Sequence, residues 1–174
     1  MQFAKDSFFL ALQERLAALN PARSVTMNGT AVPAVVAMEN LPPSSALPQP
    51  NAFYIEWGEA EVMEGHAGGA PLMSLEVVIS YYTLGTVASM VDRGRVLGQL
   101  DRELLNICQP PNTGKRDYTQ SPSADLGTHV FWGQPSFVER VKSGVTDAGE
   151  RHQDSRVERE ARLTMYFFPE VILV

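Results

Sequence analysis

Between Met73 and Thr83 the chain alternates strictly, and no other stretch constrains its fold as much. Met73, Leu75, Val77, Ile79 and Tyr81 fall on one side, while Ser74, Glu76, Val78, Ser80 and Tyr82 fall on the other. A period of two with β-branched and aromatic residues predicts a half-buried strand. After Leu84 and a turn at Gly85 the period changes, and Met90, Leu97, Leu100, Leu104 and Ile107 share one face of a helix that Pro110 and Pro111 end. A long strand running into a long helix requires further strands to complete a sheet and an apolar layer to cover one side of it.

The other segments supply those parts. Phe8, Phe9, Leu12, Leu16 and Leu19 form the stripe of an amphipathic helix, predicted to start near Asp6 or Ser7 and to stop at Asn20-Pro21. Val32, Val35 and Val36 are strand candidates beside a turn at Asn28-Gly29. Glu39 to Asn51, with four prolines, reads as an extended loop. Phe53 to Trp57 alternates as a second strand that continues towards Glu64 past an irregularity at Gly58, and it pairs antiparallel with the central strand. Gln109 to Leu126 is rich in breakers and reads as a surface excursion. Thr128 to Trp132 and Ser136 to Val141 read as strand, broken at Gly133-Gln134-Pro135. The last strand runs from Ser155 to Phe168, its apolar side interrupted by Arg159. It closes a long hairpin whose tip, 142–154, is polar.

The expected fold is therefore α+β: a mainly antiparallel twisted sheet, two helices packed on one face, and a long projecting β-hairpin, in a single domain over 1–174. A chain of 174 residues, 44% of them hydrophobic, can bury a core without staples. Its single cysteine, Cys108, makes no internal disulfide, and the N-terminus lacks a signal-peptide pattern, so a reducing cytoplasm is the expected site of synthesis. No apolar run is long enough for a membrane-spanning helix. A net charge of −6 argues against a surface that neutralises phosphates.

No set of residues points to catalysis. His66, His129 and His152 have no metal-ligand spacing. There is no nucleophile elbow, and Cys108 sits at a helix C-terminus, where the dipole disfavours a thiolate. Gly94 and Gly98 fit no phosphate loop. Because a glycine inside a helix costs about 0.5–1 kcal/mol relative to alanine, they suggest close packing against that helix, within the subunit or between subunits. Lys115, Arg116 and Tyr118 form a basic-aromatic cluster too small for a nucleic-acid site. The expectation is a protein without enzymatic activity, cofactor or metal.

Two stretches carry a likeness: Leu75 to Gly85, leading into Val91 to Leu97, and Glu160 to Phe168. Together with the order of elements over about residues 3–168, they resemble the tail terminator (tail completion) proteins of long-tailed bacteriophages. The resemblance implies a structural virion protein made in the host cytoplasm and placed at the head-proximal end of the tail. There it forms a homo-oligomeric, hexameric ring that caps the tail tube, ends its polymerisation and meets the neck or head-completion protein. DNA passes only as transiting cargo, and no membrane is involved. Gly94, Gly98, Lys115, Arg116, Tyr118, Lys142, Arg151, Arg156 and Arg159 are then expected at subunit or ring interfaces, and Glu56, Glu59, Glu61, Glu158 and Glu160 along the channel. The longer loops at 39–51 and 109–127 depart from compact members. They leave as alternatives a head-side neck or adaptor ring and a non-viral monomeric or dimeric binding domain.

Overall fold

The structure is a computed structural model. It describes residues 1–41, 48–63, 71–84, 91–142 and 156–170, with the backbone alone at 140–142, 156 and 157. The loop residues 42–47, the strand connection at 64–70 and the turn at 85–90 lie outside the described residues. So do the hairpin tip at 143–155, with Arg151, and the apolar tail at 171–174.

Helix α1 spans Gln2–Leu19. It begins about a turn before Asp6 and Ser7, so neither residue caps it. Ser7 lies inside it, where its hydroxyl donates to the Phe3 carbonyl at 2.6 Å and accepts from the Arg116 amide at 2.9 Å. Strands β1 (Ser24–Met27) and β2 (Thr30–Pro33) form a small antiparallel ribbon. Its turn, Asn28-Gly29, takes φ of 49° and 81°, the left-handed conformation that this residue pair favours.

The main sheet contains β3 (Val35–Ala37), β4 (Phe53–Val62), β5 (Met73–Tyr82), β6 (Asn112–Asp117), β7 (Ala124–Trp132), β8 (Ser136–Lys142) and β9 (Arg156–Phe167). Its order is β3-β4-β5-β9-β7-β6, with β8 also pairing β9, and every pairing except β3 with β4 is antiparallel. Helix α2 (Asp92–Ile107) connects β5 to β6. Mostly antiparallel strands with two helices make the fold α+β.

Strands β7 and β8 together run along one side of β9. Val130 to Trp132 pair with Phe167 to Met165, Gly133 donates to the Thr164 carbonyl, and Ser136 to Lys142 then pair with Arg162 to Arg156. The break at Gly133-Gln134-Pro135 is thus a bend in one long strand. The stretch 109–126, whose breakers suggest a surface excursion, instead carries β6 and the start of β7 and closes the sheet on that side. Its polar side chains are used inside the subunit, which a composition-based reading does not register.

One side of the sheet is apolar. Phe53, Ile55, Leu75, Val77, Ile79, Tyr81, Ala161, Leu163, Met165 and Phe167 are buried there, in one cluster with Phe8, Leu12 and Leu16 of α1 and Leu97, Leu100, Leu104 and Ile107 of α2. Register makes this side continuous: Ile55 faces Ile79, which faces Ala161, and Trp57 faces Val77, which faces Leu163. The sheet curls enough for the Phe8 ring to meet Trp57 of β4 at 6.1 Å and Trp132 of β7 at 5.0 Å, both edge to face.

Arg15 fixes the end of α2. Its guanidinium donates to the carbonyls of Ile107, Pro110 and Asn112 at 2.8–3.0 Å and lies 5.3 Å from the Trp132 ring centre. The last carbonyls of a helix have no partner inside it, and a cation there also complements the dipole.

Candidate functional site

The other side of the sheet is the candidate surface. Residues that alternate with the core set point outward: Tyr54 and Glu56 on β4; Ser74, Glu76, Val78, Ser80 and Tyr82 on β5; Glu158, Glu160, Arg162, Thr164 and Tyr166 on β9; and Phe131 on β7. Gly58 sits at the irregularity between Trp57 and Ala60, where the register shifts. Glu61 then faces Ser74 and shares the outward side with Glu56. Gly58 is needed for space, because a Cβ there would stand 2.9 Å from Cβ of Glu76. Five carboxylates therefore share this side: Glu56, Glu61, Glu76, Glu158 and Glu160. The predicted Glu56, Glu61, Glu158 and Glu160 come together, and Glu59 lies exposed at the irregularity between the first two. Glu76 joins them, as its place on the polar side of β5 already indicated. One cation, Arg162, is set among them, donating to Glu160 at 2.6 Å and standing 3.6 Å from Glu76.

At the hairpin end of this side, Tyr54, Glu56, Ser80, Tyr82 and Glu158 line a cleft of about 230 Å³, edged by Met38 and Pro48. The Tyr82 hydroxyl donates to the Pro48 carbonyl at 2.5 Å, which holds that segment across the sheet.

The predicted interface residues separate into groups. Lys115 is not a surface contact. It is 2% exposed, and its ammonium donates to the Phe168 carbonyl at 2.7 Å, beside Glu170. Burial lowers its pKa. Arg116 donates to the Ser123 hydroxyl and carbonyl at 2.9 and 2.8 Å, within the β6–β7 connection. Tyr118, at the same connection, is exposed. Lys142 and Arg156 face each other at the outer end of the described hairpin ladder.

Arg159 is held inside. It occupies the core-facing row opposite Tyr81, and its guanidinium donates to Asp101 of α2 and to Glu139 of β8, the latter at 2.8 Å. The Tyr81 hydroxyl donates to the other Asp101 oxygen at 2.5 Å. This network ties α2, β5, β8 and β9 together, which explains how an arginine interrupts the apolar side of β9. Asp101 and Glu139 could not be singled out from sequence, because nothing local to either marks it as a partner of Arg159.

Burial, then the hydrogen bond to Asp101 and its charge, raise the pKa of Tyr81 far above its ordinary value of 10. The folded chain holds this proton more tightly than the unfolded one. The resulting stability is complete below pH 10 and declines as pH rises above about 10, where only the unfolded tyrosine ionises. Tyr81→Phe is expected to remove that part of the alkaline loss, measured as the fall in urea midpoint between pH 9 and pH 11.

Among the described residues, a Cβ at Gly94 or Gly98 would have no neighbour within 4 Å apart from the helix itself. Packing against the described residues of the subunit therefore does not explain either glycine. Cys108 is buried, and burial pushes its pKa up to about 12, so its thiol stays protonated at neutral pH. Among the described residues no group of three His, Cys, Asp or Glu could hold a metal ion, and no helix is long and apolar enough to cross a membrane. His66 and His152 lie outside the described residues.

The chain matches no family model, and no curated protein matches it.

Proposed function

We propose that the chain is a structural subunit of a tail terminator, six copies of which close into a ring at the head-proximal end of a phage tail. The observation that carries this reading is the one-sided sheet. The continuous apolar rows and their cluster with α1 and α2 belong to one side, and the other, which also carries Tyr54, Val78, Tyr82 and Phe131, gathers Glu76, Glu158 and Glu160 along its two central strands. In a ring, that bare side turned inwards lines a channel with carboxylates, which repel transiting DNA. Both helices pack on the opposite face of the sheet, away from the channel.

The hairpin supports the same reading. The β8–β9 ladder runs to Lys142 and Arg156, two residues past the last pairing of β5 with β9, Tyr82 with Glu158. On this reading the hairpin projects and docks on an adjoining subunit or ring. The exposed Tyr118 joins it in such contacts.

The direct test adds the purified protein to polymerising tail-tube protein of the same virion. Tubes that stop elongating and carry a ring at one end in negative stain are expected. Tubes that grow unchanged with bare ends would refute the reading.

A further inference from the structure

We infer that the outward face of α2, centred on Arg95, Gly98 and Arg102, docks on the carboxylates of β4 in a second copy of the chain, Glu56, Glu59 and Glu61. This inference rests on the ring reading and names its subunit contact.

The charge distribution leads to it. Ten Lys and Arg side chains are described, and eight of them hold a partner inside the subunit: Lys5 on Glu39, Arg23 on Glu103, Arg93 on the Leu84 carbonyl, and Arg15, Lys115, Arg116, Arg159 and Arg162 as above. The two without a partner among the described residues are Arg95 and Arg102, both exposed, seven residues and thus two turns apart on one helix. Gly98 lies between them on the same stripe, with open space where a side chain would stand. Of the acidic residues on α2, Asp101 is engaged inwards with Tyr81 and Arg159 and Glu103 with Arg23, while the half-buried Asp92 in the first turn has an interaction of its own. This face is therefore net basic in a chain of net charge −6.

The described carboxylates divide in the same manner. Glu14 aside, those without a hydrogen bond or ion pair are Glu56, Glu59 and Glu61, all exposed on β4. They lie at the margin of the bare side, because β3 covers only Phe53 to Ile55 of that strand. A lateral neighbour reaches them there, whereas the carboxylates of β5 and β9 lie further in.

The spacings agree. Two helical turns separate Arg95 and Arg102 by roughly 10 Å, and three strand residues separate Glu56 from Glu59 by roughly 10 Å. Exposed apolar side chains adjoin both surfaces: Val91 at the start of α2 and Leu105 within it, 53% and 37% exposed, and Met63 just past the end of β4, 42% exposed. Because the two surfaces differ, each copy offers one and receives the other. Such heterologous contact closes into a ring when the rotation permits.

Charge reversal tests the contact, read by light scattering of the full chain, alone and on tail tubes. Arg95→Glu with Arg102→Glu, and separately Glu56→Arg with Glu59→Arg and Glu61→Arg, should each raise the half-assembly concentration more than about 100-fold, as facing charges become repulsive. Mixing the two variants should restore the ring with both proteins in equal amounts. Gly98→Leu should block assembly while leaving the melting temperature of the isolated subunit unchanged or higher, since the Cβ has room and the helix gains. Rings of unaltered mass from the Arg95/Arg102 variant would overturn the contact and leave the ring reading standing, with the β4 carboxylates merely guarding an open edge. A monomer from the unaltered chain, with and without tubes, would overturn both.

Discussion

Phe8→Ala should destabilise the subunit by about 3–5 kcal/mol. The Phe8 ring is fully buried and meets two indoles that belong to different parts of the sheet, Trp57 on β4 and Trp132 on β7. Truncation leaves a cavity that neither strand can fill without losing its register, because β5 and β9 hold them apart. The loss combines the transferred ring area with two edge-to-face contacts. Phe9, one residue on, is only partly buried, and Phe9→Ala should cost about 1 kcal/mol. Urea denaturation of both variants measures the difference. Equal losses would mean that α1 does not hold the sheet's curl through Phe8.

Glu103→Ala should cost about 3–5 kcal/mol by a different route. The Glu103 carboxylate accepts from Nε and Nη2 of Arg23 at 2.8 and 2.9 Å and from the Asn20 amide at 2.9 Å. Both ionic side chains are largely buried, at 14% and 10% exposure. Removing the acid leaves a guanidinium out of water with no counter-charge, and the connection from α1 to β1 loses its attachment to α2. Replacing Arg23 and Glu103 together by methionine should cost less than Glu103→Ala alone, because no orphaned charge remains. A double variant less stable than Glu103→Ala would show that the pair is net stabilising.

These residues also show which parts of the molecule can be read from its sequence. The alternation of β5, the Asn28-Gly29 turn, the irregularity after Trp57 and the long β8–β9 pairing are local patterns, and the structure contains each of them. What escaped are partners set by topology. Lys115 and Arg116 sit in a stretch crowded with prolines and glycines and look like surface residues. Yet β6 carries Lys115 under the end of β9, where it reaches the Phe168 carbonyl. Arg159 looks like a projecting interface cation until α2 brings Asp101 to it across 58 residues. Gathering Glu56, Glu158 and Glu160 on one side needed only the period-two rule, whereas Glu61, an odd number of residues from Glu56, joins them because the register shifts after Trp57. Arg95 and Arg102 lie on the polar side of the α2 pattern, but that they alone of the described cations have no partner among the described residues becomes visible only when every other described cation has been placed.

The most direct test of the ring is the mass of the purified protein in solution, measured by light scattering over a wide concentration range, alone and with tail tubes, and imaged by negative stain. A closed particle of about six subunits, free or on tube ends, is the expected result for a heterologous assembly with point symmetry. A monomer at every concentration that leaves tail tubes bare would contradict it.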